Sequence, residues 1–360
     1  MEIRDPIHGS IEFTPKEVAV LESPAFQRLR SIRQLGFGEF SYPGGTHSRF
    51  LHSIGVGHIA GNAFDTIFRG YPFGNEANKW RLRQTVKLAA MLHDVGHGPL
   101  SHTTEEVMPE LSKLEVKVLK GSERQATHED YTIKFITDSP LTKEITNQFP
   151  DVDPVCVAAL INRSIECDES YFQIGEVNLR TILSQIVSSE LDMDRMDYLL
   201  RDSYFCGINY GKVEMEWITS NLTHYRVGNK LHLALGRRAI YTFDDFLVSR
   251  HHMYLMVYFH HKALVYDEML HRYLTSKDCS FRLPSDINQY LDCDDYLLHR
   301  HLRDSENEWA RRISRRQPYR MVFELHAAES FDQPKVAKEL LEKNGIDVIH
   351  SSSVARLSKY

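Results

Sequence analysis

Two rhythms of apolar positions run along this chain, and where the rhythm changes an element ends. In residues 1–13, Ile3, Ile7 and Ile11 are spaced around the turn pairs Asp5-Pro6 and His8-Gly9, which predicts a short hairpin. Thr14-Pro15 supplies an N-cap and a first-turn proline and opens a helix. Ser23-Pro24 repeats that signal ahead of Phe26, Leu29, Ile32 and Leu35, whose recurrence every three residues predicts one helix face over 25–35. Gly36 to Ser48, rich in glycine and aromatics, reads as a loop, and a helix starts near Arg49. Over 80–94 the nearly unbroken run Val86, Leu88, Ala89, Ala90, Met91 and Leu92 predicts a buried helix that delivers His93 and Asp94 to the interior.

Beyond Pro99 the chain re-enters helix. Residues 110–125, with Lys113, Lys117 and Lys120, read as a solvated helix ending at Gly121. Thr127 begins an amphipathic helix with His128 in its first turn. Short helices and loops fill 139–178, and a helical run from Leu179 to Val187 precedes the acidic stretch Ser189 to Asp202. Residues 224–235 predict a hairpin around Gly228-Asn229, and one long helix runs from Thr242 or Phe243 to about Leu274. From 275 polar helical segments and the basic residues Arg311, Arg312, Arg315, Arg316 and Arg320 precede a predicted strand Met321–Leu325, a helix Pro334–Lys343 ended by Gly345, and a strand Asp347–Ile349. The expected fold is mainly α: a helical core over 1–274 with short β-hairpins, and a small C-terminal α/β lobe over 275–360 packed on it.

Composition narrows the class. A chain of 360 residues, 42% hydrophobic and 26% charged, has the make-up of a soluble globular protein with a full core. No apolar run reaches the ~18 residues of a membrane span, and Met1-Glu2-Ile3-Arg4 has no apolar signal core. The five cysteines are odd in number and lack close pairing, which disfavours a disulfide framework or a thiolate zinc site and predicts a reducing cytoplasm. A formal net charge of -6 argues against bulk nucleic-acid binding. The 19 histidines are many, and they cluster.

The densest cluster is His93-Asp94-Val95-Gly96-His97-Gly98-Pro99-Leu100-Ser101-His102. Imidazole and carboxylate are ligands for divalent metals, and free imidazoles beside a metal are proton carriers. A single histidine here would be a helix-end cap; this density is hard to explain as packing. His52, among apolar neighbours, reads alone as a core histidine. His102 and Glu105, three apart, read as a surface pair or as a general-base pair. Asp194, Tyr198 and Asp202 recur every four residues, which makes either a solvated stripe or the wall of a pocket for a hydroxylated ligand.

These blocks carry a resemblance. Asp5-Pro6-Ile7-His8-Gly9, Phe26-Gln27-Arg28-Leu29-Arg30 with Gln34-Leu35-Gly36, Arg49-Phe50-Leu51-His52-Ser53, the His93–His102 stretch, and Asp192-Met193-Asp194-Arg195-Met196-Asp197-Tyr198-Leu199-Leu200-Arg201-Asp202 occur in the order seen in the HD-domain phosphohydrolases. More narrowly, they resemble the deoxynucleoside triphosphate triphosphohydrolases, bacterial dGTPase-type and human SAM-and-HD-domain enzymes included. The match runs from residue 5 to about 325. The resemblance implies that His52, His93, Asp94 and Asp194 bind one divalent ion (Mn, Mg, Fe, Zn or Ni), with open positions left for water and a phosphate oxygen. It implies proton transfer by His102 with Glu105, supported by His97 and His128. The reaction implied expels triphosphate and leaves a deoxynucleoside.

By the same resemblance Gln34, Leu35 and Tyr198 meet the sugar, with the tyrosine crowding the place of a 2′-hydroxyl, and Asp202 bonds the 3′-hydroxyl. Arg49, Arg195 and Tyr198 are implied phosphate contacts, Arg195 replacing a lysine common in relatives, with Arg250 as a further one. Gln27, Arg30, Arg237, Arg238, Arg316 and Arg320 resemble positions that hold an activating nucleotide between subunits, so a homo-oligomer, dimer or tetramer, is expected. The basic cluster reads otherwise as a solvated helix end. Two other functions stay open on the residues alone. One is an HD phosphohydrolase of another nucleotide or phosphoester, such as a nucleoside monophosphate. The other is a nucleotide or nucleic-acid sensor without catalysis.

Overall fold

The structure, a computed structural model, describes residues 1–119, 123–324 and 332–350. The expected hairpin forms: β1 (Glu2–Asp5) pairs antiparallel with β2 (Gly9–Glu12), Ile3 opposite Ile11. Its turn is closed by Asp5 Oδ1, which accepts from the backbone N–H of Ile7 at 2.9 Å and His8 at 2.8 Å. Thr14 and Glu17 form a reciprocal capping box on the helix that follows.

The predicted helix over 25–35 is shorter and tighter. An α-helical turn covers Pro24–Gln27, a 3₁₀ turn covers Arg28–Ser31, and Ile32 is extended. An apolar spacing of three is the 3₁₀ period, so Phe26, Leu29 and Ile32 are fully buried without an α-helix to carry them. Ile32 instead accepts from Arg49 N at 2.9 Å, which ties this segment to the next helix.

Two long helices form the centre. α1 (Arg49–Ile67) starts where expected, and α2 (Glu76–Leu92) ends with His93 as its C-cap. α1 packs closely along α2, so His52 on the first faces His93 and Asp94 at the end of the second. Past Pro99 the chain does turn helical, but as a 3₁₀ segment, Ser101–Val107, entered through two successive left-handed residues, Leu100 (φ 52) and Ser101 (φ 61). The predicted solvated helix over 110–125 reduces to one turn, Leu111–Leu114; Lys120 and Gly121 lie outside the described residues. α3 (His128–Thr137) and α4 (Met193–Cys206) complete the site's walls.

The hairpin Leu222–Val227 with Lys230–Leu235 turns at Gly228 (φ 58) and forms one edge of a four-stranded sheet. The other two strands, Gln173–Ile174 and Val177–Asn178, are too short to be seen as a pattern. The single long helix predicted to Leu274 is broken. α5 (Ile240–Met253) runs into a π-type turn, Tyr254–Tyr258, and α6 (His261–Leu274) restarts after His260. The 36–48 segment, expected as loop, holds a 3₁₀ helix over Gly36–Phe40 and then meets the chain at the break: Tyr42 donates to the carbonyl of Met256 at 2.5 Å, and Ser41 meets His260 Nδ1 at 2.9 Å.

The C-terminal region has the expected helix, Asp332–Lys343, after shorter ones at Asp295–Asp304 and Glu308–Ser314. The two predicted strands make no ladder among the described residues, and Leu325 lies outside them. Met321, Val322 and Phe323 are exposed and have no neighbouring strand to pair with. Asp347 instead accepts from Arg272 at 3.1 Å and from the Tyr319 hydroxyl at 2.9 Å. Asp295 reaches back into the core: Oδ1 accepts from Leu100 N at 2.8 Å and Oδ2 from Arg33 N at 2.9 Å. Tyr290 donates to Gly96 O at 2.8 Å. Buried Arg28 donates to the carbonyls of Cys293 (2.7 Å), Val95 (2.9 Å) and His97 (2.7 Å). No helix is long and apolar enough to cross a membrane among the described residues.

Candidate metal centre

Four groups from three helices converge. α1 supplies His52, the end of α2 supplies His93 and Asp94, and the first turn of α4 supplies Asp194. His52 Nε2 lies 3.0 Å from Asp194 Oδ1 and 3.7 Å from Asp94 Oδ2. His93 Nε2 lies 3.3 Å from Asp94 Oδ1 and 3.5 Å from Asp194 Oδ1. Metal–ligand bonds of about 2.1 Å at right angles put neighbouring donor atoms about 3.0 Å apart. His52, His93 and Asp94 all lie within 4.8 Å of one another, and Asp194 reaches both imidazoles, a spacing near that of one coordination shell.

The proton positions agree. His52 Nδ1 is bonded to Asp197 Oδ2 at 2.8 Å and His93 Nδ1 to Ala90 O at 2.7 Å, which leaves both Nε2 atoms for the gap. His52 Nε2 is buried and, at 3.0 Å from Asp194, lacks hydrogen-bond alignment. Burial works against a charged His52, yet the carboxylates of Asp194 and Asp197 against its two ring nitrogens push its pKa up to about 10: the pocket favours positive charge. Burial likewise opposes a charged Asp94, but Arg49 and His93 hold its carboxyl well below the usual range. The donor set therefore fits a divalent ion.

A second cluster abuts the first. His97 Nε2 lies 3.3 Å from Asp94 Oδ1. Its ring stacks on His128, centroids 3.8 Å apart and 15° from parallel, with His102 edge-on to both at 5.0 Å. Glu105 Oε1 takes Nδ1 of His102 at 3.1 Å and Nδ1 of His128 in a shorter bond. The 3₁₀ geometry brings 102 and 105 into register, since residues three apart eclipse there. Burial raises the Glu105 carboxyl, but the bonds from His102 and His128 outweigh it and hold its pKa at about 2. Burial, Arg49 and His128 keep His97 neutral. Gly96 makes the stack possible: a Cβ there would overlap the backbone of His128 and Thr132.

The predicted sugar residues gather on the other side. Asp202 Oδ1 is bonded to His47 Nε2 at 2.7 Å, and Oδ2 accepts from Tyr258 at 2.8 Å. Gln34 N donates to His47 O at 3.0 Å, and its buried Oε1 has no hydrogen-bond partner among the described residues. Tyr198 meets Tyr258 edge-on at 6.1 Å, and burial, with Tyr254 and Asp194 nearby, keeps its hydroxyl protonated. Leu35 is half-buried beside them.

The predicted phosphate arginines are engaged by protein acids: Arg49 by Asp94, Arg195 by Asp192, and Arg250 by Glu190 at 2.8 Å. Of the predicted effector residues, Gln27 and Arg30 are bonded at 2.8 Å, Arg30 lies over Phe50 and Arg316 over Phe40. Arg237 and Arg238 are exposed before α5 and share no hydrogen bond or ion pair with the other four among the described residues; Arg320 is exposed. Sequence reasoning missed His8, Asp197, Arg201, His47, Tyr258 and Asp295. Asp197 and His8 stood inside quoted motifs and were given no role; the spacing of Asp197 and Arg201, four apart on α4, was the available signal.

A family model described as the HD domain matches residues 49–202, the span that holds all four donors, and a model of the HD associated region matches 222–346. The chain belongs to the HD-domain family. This HD-domain protein aligns with a crystal structure of a hypothetical protein from Aquifex aeolicus at a TM-score of 0.74, with 28% identity, over 95% of this chain and 82% of that one. It is 30% identical to an uncharacterized protein of Methanocaldococcus jannaschii over 91% of this chain and 62% of that one. It is 34% identical to an uncharacterized protein of Mycoplasma pneumoniae over 71% of this chain and 55% of that one. Human deoxynucleoside triphosphate triphosphohydrolase SAMHD1 is 29% identical over 74% of this chain and 43% of its own length. The HD-domain chain thus spans between 43% and 62% of the length of these curated relatives. His52, His93 and Asp94, whose donor atoms lie within 4.8 Å of one another, all fall inside the span that matches the HD domain.

Proposed function

We propose that this protein hydrolyses deoxynucleoside triphosphates to deoxynucleoside and triphosphate, with one divalent metal held by His52, His93, Asp94 and Asp194. The observation that carries the reading is the convergence of those four donors beside a separate imidazole–carboxylate cluster, within 3.3 Å of each other at Asp94 and His97. The metal supplies Lewis acidity and lowers the pKa of water. Glu105 ties down the Nδ1 atoms of His102 and His128 and leaves their Nε2 atoms to pass a proton to the departing 5′-oxygen. His97, neutral and buried, packs between that pair and the metal ligand Asp94.

Substrate class is supported by two things: the printed activity of SAMHD1, and the wall of Gln34, Leu35, Tyr198 and Asp202, which suits a deoxyribose. On this reading the core over 1–274 and the C-terminal region over 275–360 act as one unit, in the cytoplasm, consistent with five free cysteines. Exposed Tyr241, Val248, Leu255 and Met256 along α5 and the turn after it support a homo-oligomer, and the Arg30 and Arg316 region supports a nucleotide activator. The test is hydrolysis of each of the four dNTPs, alone and mixed, with Mn²⁺ or Mg²⁺ and product identification. Triphosphate is expected. Orthophosphate or a monophosphate would move the protein to another phosphoester, and binding without turnover would make it a sensor.

A further inference from the structure

We propose that His8, on the N-terminal hairpin, is a positioning residue for the metal centre, acting through Asp197 on His52; this rests on the metal reading above. Asp197 is fully buried and receives four donors. Oδ2 accepts from His52 Nδ1 at 2.8 Å and Arg201 Nε at 2.7 Å. Oδ1 accepts from Arg201 Nη2 at 2.8 Å and His8 Nε2 at 2.6 Å. A carboxylate has about four acceptor sites, and all are used here. An ionised carboxylate only accepts, so both imidazoles donate to it. His52 is thereby locked with its proton on Nδ1 and its Nε2 lone pair on the donor gap.

His8 is itself aimed. Asp5 Oδ1 accepts its backbone N–H at 2.8 Å, and Asp5 Oδ2 accepts from Arg201 Nη1 at 2.8 Å. Asp5, His8, Asp197 and Arg201 thus close a ring that joins β1–β2 to α4 across 189 residues of chain between His8 and Asp197. α1 forms the ring's floor at Gly55, where a Cβ would overlap both Asp197 and Arg201. Without His8, Oδ1 loses its 2.6 Å bond and one of the four donors that fix the carboxylate. The carboxylate is then held by Arg201 and His52 alone and is freer to turn about its Cβ–Cγ bond, which loosens the hold of Oδ2 on the His52 ring. His8 touches none of the four donor atoms, so its effect reaches the metal only through the orientation of His52.

The experiment is Mn²⁺ titration of the full chain by calorimetry at one pH, with metal-free melting temperatures measured in parallel. His8→Ala is expected to weaken Mn²⁺ binding about tenfold or more. His8→Gln, whose Nε2–H can reach Asp197, is expected to recover most of that loss, and His8→Asn, which is too short, is not. Ser10→Ala on the same hairpin, removing an exposed contact to Arg4, is expected to leave Mn²⁺ affinity unchanged. A merely structural role would lower the melting temperature and leave affinity alone. Mn²⁺ affinity of His8→Ala within twofold of the parent overturns the inference and leaves the metal centre standing. Should His8→Ala fail to fold, equal affinity of the Gln and Asn variants does the same. No Mn²⁺ binding by the parent overturns the metal reading itself.

Discussion

The two ends of this site, the one proposed for metal and the one proposed for phosphate, are built differently. At the metal end the donors are set by bonds behind them: Asp197 behind His52, Ala90 O behind His93, Arg49 behind Asp94. What is left facing the gap is bare, as the unaligned Nε2 of His52 shows. At the phosphate end each arginine is already held by a carboxylate of the protein: Arg49 by Asp94, Arg195 by Asp192, Arg250 by Glu190. Asp202 likewise has both oxygens occupied, by His47 and Tyr258. The donor atoms proposed for the metal already face one gap. On the proposed function a triphosphate would exchange with internal acids, so part of its binding energy would go into breaking protein ion pairs. The contrast predicts a site that takes metal readily and nucleotide more selectively.

The strongest way to break that contrast is at the metal. Asp194→Ala should abolish Mn²⁺ binding and lower kcat/KM about a thousandfold or more, since a Lewis acid supplies several kcal/mol of transition-state stabilisation; an unchanged rate would remove the metal from the mechanism. Next, Glu105→Gln should lower kcat by about a hundredfold with Mn²⁺ affinity intact, because it frees the tautomers of His102 and His128. A loss confined to metal binding would instead place Glu105 with the ligands. The same variant carries a pH signature. The Glu105 pKa is depressed to about 2 in the folded protein. Its stabilising contribution is therefore present above the unfolded value of about 4.3 and is lost as pH falls through about 2. The parent should lose melting temperature more steeply than Glu105→Gln on acidification through that window. The smallest effect sharpens the proposed phosphate end: Glu190→Gln, which takes the carboxylate charge away from Arg250, should lower KM a few-fold and steepen its salt dependence. A raised KM would show that Glu190 aims Arg250 and does not compete for it.

Much of the site could be read in the chain because its chemistry is local. His93 and Asp94 adjoin at the end of an apolar helix, and His102 and Glu105 lie three apart; the structure puts both pairs in contact. Bringing His52 and Asp194 to them rested on the resemblance, since no spacing relates residues on α1 and α4. What escaped was tertiary in origin. The long helix after Thr242 breaks where Tyr42 and Ser41, more than two hundred residues earlier, take up Met256 O and His260. The pattern over 25–35 carried its own correction, since strict threes fit 3₁₀ better than α. The C-terminal strands failed for want of a partner: β-propensity at Met321 to Phe323 has nothing to pair with among the described residues.

The hold of Asp295 on Leu100 bears on how this protein can be taken apart. Two successive non-glycine residues with positive φ cost of order 1–3 kcal/mol each and persist only under restraint. Here the restraint comes from a helix nearly two hundred residues later in the chain. A fragment cut after residue 274 would strand Leu100 N–H and Gly96 O and remove one of the three carbonyls that hold Arg28. The turn that delivers His102 would be free to relax to a commoner backbone. The stretch matched by the HD model is therefore a unit of recognition without being a unit of dissection: grafted alone onto another scaffold, it would carry its ligands and lose the posture of its proton carrier.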